Sequence, residues 1–501
     1  MSAQRHREAP MFESADLEHK VSKEEYKREE PGLREALLNA QFDLGAKKKF
    51  PALIIIGGVD GAGKGETVNL LNEWMDPRHI VTYAFGPPTD EEAAHPPMWR
   101  FWRALPPKGK IGVFFGSWYT TPIVNRVLGN YNDNDLQKSI DEILRQEKML
   151  VDEGVLLLKF WFHLSKDQQR KRLKALEADP STRWRVTRED WRRFKVYDRF
   201  REVSEHTLRE TSTAGAPWIV ISGADRRFRS LTTGRILLDQ ISKRLSEGAQ
   251  KDKKVEAAPP MPQLDNLKLL RSLNMTQRLE KKRFEKLLEK HQGELNSLTR
   301  SKKVRKHSII LVFEGWDAGG KGSAIRRITS ALDARQYHIV PIAAPTEEER
   351  AQPYLWRFWR NVPSLGGVTI FDRSWYGRVL VERVEGFCSQ VDWMRAYTEI
   401  NDFEEQLVDN GAILFKFWLH ITKAEQLRRF KQRQKTSFKR FKITEEDWRN
   451  RQKWPDYEAA VCDMIDRTST DIAPWTIIEA QDKPFARIKL LKTIVDRLGK
   501  L

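Results

Sequence analysis

Cysteine is nearly absent: only Cys388 and Cys462 occur in 501 residues. Neither sits in a CxxC pair and no histidine cluster accompanies them. That excludes a disulfide framework and a structural zinc site, and it points to a reducing cytoplasm. Long apolar runs are missing too. Nothing approaches the roughly 20 consecutive apolar residues of a membrane-spanning helix, and the opening MSAQRHREAP lacks the apolar stretch of a secretory signal. The expectation is a soluble intracellular protein. Acidic residues are in deficit, 70 against 88 basic ones, which leaves a net charge of +18. Such a balance suits an anionic partner: nucleic acid, an acidic membrane surface or a polyanionic small molecule. It also suits an enzyme that is merely basic. Hydrophobic content of 40%, with 10% aromatics, is ample for folded cores and excludes wholesale disorder. The length suits two or three domains.

What is present is a duplication. Lys64 in GGVDGAGKGE matches Lys321 in EGWDAGGKGS, and 321 − 64 = 257. The same offset carries PTDEEAAHPPMWRFWR onto PTEEERAQPYLWRFWR, LLLKFWFH onto ILFKFWLH, REDW onto EEDW, and one APW onto the other. The register holds without a gap from about residue 52 to the end of the first copy. A period this long excludes a solenoid and indicates two globular domains. They span residues 1–245 and 266–501, and the polar, proline-bearing stretch 246–265 reads as a linker.

Each copy starts with a charged helix. In the second, Phe284, Leu287, Leu288, Leu295 and Leu298 recur at helical spacing, to pack on their own domain or to meet a partner. IILVF, HIVPIA, GVTIF, AILFKFW and PWTII are strand candidates, separated by helical stretches such as 391–410 and 422–435. Strand, loop and helix in repeated order predict an α/β fold, a parallel sheet with helices on both faces.

The chemistry concentrates in the second copy. Gly315, Trp316, Asp317, Ala318, Gly319, Gly320, Lys321, Gly322 and Ser323 follow a buried strand and open an amphipathic helix. Glycines there let backbone N–H groups close around phosphate oxygens, the helix N-terminus adds positive potential, and Lys321 adds a mobile charge. Gly322 separates the lysine from the Ser323 hydroxyl, a departure from the strict phosphate-loop pattern. Asp372 ends the strand GVTIF; an aspartate there either caps the following helix or, beside a phosphate loop, faces the phosphates and holds Mg²⁺ directly or through water, and the paired loop favours the second reading. Asp317 offers a second carboxylate, either to Mg²⁺ or to orient the attacking oxygen. Arg373 and Arg378 supply donors for charge developing on a transferring phosphoryl group. Residues 427–453 are densely basic with interleaved aromatics, which reads as a lid, a solvated helical surface or a nucleic-acid groove.

The combination G-x-D-x-x-G-K-G, PTEEE, WRFWR, FDRSWY, VERVEGF and APW resembles the polyphosphate kinase 2 family over nearly the whole of both copies. The resemblance implies two tandem P-loop kinase-like domains, each a parallel sheet flanked by helices and carrying a helical lid. It implies transfer of phosphate between inorganic polyphosphate and a nucleotide with Mg²⁺, and for a fused pair of copies a polyphosphate-dependent conversion of AMP to ADP. Single-copy members of the family it resembles include enzymes that work on ADP or GDP. Carried over by motif, Asp317, Lys321, Asp372 and Arg373 are catalytic, with Asp317 and Asp372 on the metal. Gly315, Gly319, Gly320, Gly322, Ser323, Arg378 and Glu382 join Lys321 around phosphate. Gly377 stands where the family pattern has asparagine. Arg433, Arg440 and Lys442 are lid candidates by position.

The first copy has lost this set. At the 257 offset Asp372 falls on Phe115, Arg373 on Gly116, Arg378 on Thr121, Glu382 on Asn125 and Ser323 on Glu66, while Asp60 and Lys64 persist. The expectation is a silent copy that keeps the fold, pairs with the active one as in a dimer and extends a basic track. The competing readings are a polyphosphate-dependent kinase acting on ADP or GDP, a nucleotide or sugar kinase using ATP, and a non-catalytic nucleic-acid-binding protein.

Overall fold

The computed structural model describes residues 11–17, 19–247, 267–437 and 443–501. They form two compact units. The first takes in the described residues up to Pro88, those from Arg100 to the end of the first copy, and Pro345–Trp356; the second takes in Thr89–Trp99 and the remainder.

The first unit is built on β1 (Ala52–Gly58), β2 (Ile80–Ala84), β3 (Ile111–Phe115), β4 (Leu156–His163) and β5 (Trp218–Ser222), in the order β2-β3-β1-β4-β5. The second is built on β6 (Ile309–Gly315), β7 (Tyr337–Pro341), β8 (Val368–Asp372), β9 (Ile413–His420) and β10 (Trp475–Glu479), in the order β7-β8-β6-β9-β10. Every pairing is parallel. Parallel strands need both faces covered, which explains why β6 and β9 read as unbroken apolar runs. Ile310, Val312, Phe313, Leu414 and Phe417 are fully buried. The two strand pairs flanking β6 part at its C-terminal end, and crevices at such switch points are where ligands settle in open α/β sheets.

Each amphipathic opening helix packs within its own unit. Lys281–Arg300 lies on Lys483–Leu498 and buries His291, Leu295 and Thr299, while Phe284, Leu287, Leu288 and Leu298 are half-buried. In the first unit Lys23–Lys47 lies on Arg226–Glu247. That last helix carries Ser246 and Glu247, and the rest of the expected linker falls outside the described residues, as do Arg440 and Lys442. Among the described residues no helix is long and apolar enough to cross a membrane.

Candidate active site

The phosphate loop runs from the end of β6 into the helix Lys321–Thr329. Gly315 has φ 145°, and a Cβ there would meet the Leu419 carbonyl at 2.6 Å, so only glycine fits this departure from the sheet. Lys321 curls back so that Nζ donates to the Gly315 carbonyl at 2.6 Å. The Ser323 hydroxyl donates to the Gly320 carbonyl at 2.8 Å. The loop is held from below by a buried arginine that the motif did not include. Arg429 donates to the carbonyls of Ala318 (2.9 Å), Gly319 (3.0 Å), Ala480 (2.6 Å) and Gln481 (3.1 Å), and to Glu425 at 2.6 Å. Gln426 adds a bond to the Asp317 carbonyl at 3.2 Å.

The end of β8 brings the second motif alongside, because Phe313 is the register partner of Asp372. Arg373 adopts φ 64°, a left-handed conformation that is unfavourable for a residue with a Cβ, and its N–H donates to the Phe313 carbonyl at 3.0 Å. This turn aims the guanidinium at the loop, with Nη2 donating to Asp317 at 3.3 Å and Nη1 3.9 Å from Glu446. Burial opposes that charge, but Asp317, Glu314, Glu446 and Asp372 outweigh it and raise the Arg373 pKa. Asn450, from the helix Glu445–Gln452, donates to the other Asp317 oxygen at 3.0 Å and accepts from the Tyr457 hydroxyl at 3.1 Å. Asp317 is therefore fixed from two sides.

Directly beneath lies Glu314, buried, accepting from the Ser374 hydroxyl at 2.9 Å. Burial raises its pKa, with Asp372 adding repulsion, against Lys321, Ser374 and Arg373. Three carboxylates, one ammonium and one guanidinium thus share the end of β6. Arg378 and Glu382 pair with each other at 3.1 Å. Arg433 is half-buried near the end of Lys423–Lys435, the helix that carries Arg429. Among the described residues no group of three or more His, Cys, Asp or Glu side chains is arranged to hold a metal by itself. Mg²⁺ does not need one: it takes one or two carboxylates and completes its shell with water and substrate phosphates. The hard oxygen donors Asp317 and Asp372 suit that mode.

The first unit shows the same frame with the charges removed. Gly116, the counterpart of Arg373, keeps the left-handed turn at φ 81° with no Cβ to strain it. Gly57 replaces Glu314 and Phe115 replaces Asp372. Glu66, in the first turn of the helix Lys64–Trp74, accepts from Arg229 at 2.6 Å and Arg172 at 3.2 Å, and lies 3.7 Å from Arg185. It gathers the cations that a phosphate would need. Lys64 is spent on the carbonyls of Gly58 (2.6 Å) and Val59 (3.1 Å) and on Asp60 (3.1 Å).

Of the residues expected from sequence, Arg373 reaches Asp317, Lys321 folds back on the same loop and Asp372 ends the adjacent strand; Glu314, Arg429 and Asn450, which lie beside them, were not among those expected. Glu314 had a signal, since it is a charged residue against glycine at the 257 offset. Arg429 and Asn450 lay inside a run of basic and polar residues in which nothing local marks the one that turns inward.

A family model described as polyphosphate kinase 2 matches residues 20–249 and again 278–500. A polyphosphate:AMP phosphotransferase from Pseudomonas aeruginosa is 58% identical over 97% of this chain and 98% of its own length. A GDP-polyphosphate phosphotransferase from Mycolicibacterium smegmatis is 39% identical over 42% of this chain and 73% of its own. A crystal structure of a candidate polyphosphate kinase 2 from Pseudomonas aeruginosa superimposes with a TM-score of 0.89 at 55% identity, covering 98% of this chain and 99% of that one.

Proposed function

This chain belongs to the polyphosphate kinase 2 family, and we propose that it moves a phosphoryl group from inorganic polyphosphate to AMP, giving ADP, at the site in its second copy. The observation that carries the acceptor is the likeness, along 97% of the chain, to a relative named for AMP. The relative named for GDP covers only 42% of it. A polyanionic donor also accounts for the +18 charge without invoking nucleic acid.

In the reaction the terminal P–O–P bond of polyphosphate breaks while a phosphate oxygen of AMP bonds to the transferred phosphorus, and polyphosphate leaves one unit shorter. The attacking oxygen already carries negative charge, because the second ionisation of a phosphate monoester lies near pH 6. A general base is therefore dispensable, and the requirement is to bring two anions together. Lys321 and the N-terminus of Lys321–Thr329 take the donor phosphates. Arg373 meets the charge that accumulates on the transferred group. Asp317 and Asp372 would hold Mg²⁺, which when bound would neutralise adjacent phosphate oxygens. Asn450 and Arg373 keep Asp317 in position, and Arg429 keeps the loop in shape. The first copy lacks the counterparts of Asp372, Arg373 and Glu314 and serves as a built-in partner subunit. Two free cysteines fit a reducing cytoplasm as the place of action.

The test offers AMP or ADP with polyphosphate or ATP, in Mg²⁺, and resolves the nucleotides. ADP should form from AMP and polyphosphate, and Asp372→Asn should lower its rate by at least about 100-fold. ATP formed from ADP alone would change the acceptor. Absence of any transfer from polyphosphate would overturn the proposal.

A further inference from the structure

Each phosphate loop holds an aspartate and a lysine four residues apart, and the two copies pair them differently. In the first, Lys64 Nζ lies 3.1 Å from one Asp60 oxygen and Arg193 lies 3.4 Å from the other. Burial raises the Asp60 pKa, but Lys64 and Arg193 outweigh it and hold the carboxyl below its usual range. A carboxylate so engaged offers little to a metal cation, and its lysine offers little to a phosphate. In the second copy Asp317 pairs with Arg373 at 3.3 Å, and Lys321 is 2.6 Å from the Gly315 carbonyl instead.

The sequence around the pair does not account for this. DGAGK and DAGGK have the same length, and the lysine opens a helix in both. Nor does the arginine account for it, since each aspartate has one and Asp60 takes the lysine in spite of it.

What differs beneath the loop is Glu314, where the first copy has Gly57. Glu314 is 5% exposed, on β6 just ahead of the loop. Burial opposes its charge, and Lys321 favours that charge most, ahead of Ser374 and Arg373. The ammonium is thereby drawn toward the strand and away from the loop carboxylate. Glu314 also accepts from the Ser374 hydroxyl at 2.9 Å, which braces the left-handed turn at Arg373. Asn450 completes the arrangement: it is neutral where the first copy has Arg193, so it fixes Asp317 without offsetting its charge.

We propose that Glu314 is a positioning residue that holds Lys321 off Asp317, leaving the carboxylate for Mg²⁺ and the ammonium for phosphate. It acts through Lys321 and needs no contact with substrate. Metal ligands commonly depend on such outer partners for their orientation and charge. This role rests on Asp317 serving as a metal ligand, and it does not depend on which nucleotide accepts the phosphoryl group.

Mn²⁺, which takes the same oxygen ligands as Mg²⁺, is the probe, titrated into the substrate-free full chain and followed by its paramagnetic resonance. Asp317→Asn should weaken its binding at least about tenfold. Glu314→Gln keeps the size and an acceptor for Ser374 while removing the charge. It should weaken Mn²⁺ binding at least about fivefold, as Lys321 moves onto Asp317, and lower kcat for ADP formation at least about tenfold. Lys321→Met should then raise Mn²⁺ affinity at least about fivefold in the Glu314→Gln chain but less than about twofold in the wild type. A residue needed only for packing would not produce that difference. The single Lys321→Met variant leaves Glu314 in place and carries the comparison if Glu314→Gln perturbs folding. Unchanged Mn²⁺ affinity in Glu314→Gln, a loss that Lys321→Met does not relieve, or a gain from Lys321→Met as large in the wild type would each overturn the proposal. Mn²⁺ binding indifferent to Asp317→Asn would overturn it together with the metal reading, so the two failures are told apart.

Discussion

At the residue scale, comparison of the two copies separates side chains that keep the fold from those that perform chemistry. Lys416 is fully buried and donates to Glu404 at 2.7 Å, to the Tyr376 hydroxyl at 3.0 Å and to the Thr468 carbonyl at 2.5 Å. A buried lysine–glutamate–tyrosine cluster looks catalytic in isolation. Yet Lys159, Glu147, Tyr119 and Thr211 repeat it in the first copy, with Lys159 2.6 Å from Glu147, where Asp372 and Arg373 have no counterparts. It therefore ties strand to helix in both units. Glu314 follows the opposite rule, present only beside the intact loop. His420 belongs to the second unit's frame: its Nδ1 accepts from Trp316 at 3.2 Å, and burial pushes its pKa down to about 4. The unfolded chain, with an ordinary histidine near 6.5, takes up the proton first as pH falls. Stability is thus intact above about pH 6.5 and declines toward pH 4, by about 2 kcal/mol between pH 7.5 and pH 5 from this group. Denaturant unfolding at the two pH values should show that loss, and His420→Gln, which keeps an acceptor for Trp316, should reduce it by about the same amount. Equal pH sensitivity in the variant would contradict the assignment. None of this was legible beforehand, because a lone histidine ending a strand carries no mark of what it accepts from. Asp317, Lys321 and Arg373 could be singled out beforehand as candidates because a glycine loop between strand and helix constrains its neighbours' chemistry.

At the scale of elements, the strands were readable because fully covered parallel strands need continuous apolar runs, and IILVF and AILFKFW supply them. The opening helix was readable as a stripe, but its buried ridge uses His291 and Thr299 as well as Leu295, because their polar atoms are satisfied within the helix itself, by Glu294 and by the Leu295 carbonyl. Less legible was the means by which the helix Lys423–Lys435 grips the phosphate loop. Arg429 does so with a planar fork that spans four carbonyls, and the first copy reaches the same end differently. There Arg229, from the helix Arg226–Glu247, donates to the carbonyls of Ala62 (3.3 Å) and Gly223 (2.9 Å). Arg172, the positional counterpart of Arg429, is instead 42% exposed on Glu66. The required element is an arginine under the loop, and the sequence position that provides it is free to change. Arg429→Lys keeps the charge and loses the fork, leaving buried carbonyls unpaired at a cost of about 3 kcal/mol. It should lower the melting temperature and cut kcat by at least about tenfold through a slackened loop. Arg172→Lys should change neither. A variant at Arg429 with normal turnover would reduce its role to packing.

For the whole molecule, the question is why a copy proposed to be silent is retained. Duplicated sequence does not guarantee two self-sufficient domains, and the compact units do not coincide with the two copies. The second unit includes Thr89–Trp99, which the first copy's sequence supplies. Within that unit the Leu365 N–H donates to the Ala94 carbonyl at 3.0 Å, and His95 stacks on Trp99 at 3.8 Å. The first unit likewise includes Pro345–Trp356, where the Gln352 amide donates to the Leu105 carbonyl at 3.1 Å and the Lys108 N–H to the Ala351 carbonyl at 2.8 Å. The sequence repeat showed where each copy begins and ends, but a repeat holds no information about which unit a segment packs into. A fragment of residues 262–501 therefore retains Asp317, Lys321, Asp372 and Arg373 while lacking part of the unit that holds them. Losing a packed segment with its tryptophan removes several kcal/mol of buried apolar surface from a domain whose net stability is only about 5–15 kcal/mol. The fragment should melt well below the full chain and lose most of its turnover. Adding a separately expressed 1–245 chain should restore both, because it supplies Thr89–Trp99 again. A fragment that is monomeric, as stable as its counterpart in the full chain and fully active would show that the first copy is dispensable, and would remove the reason proposed here for its retention.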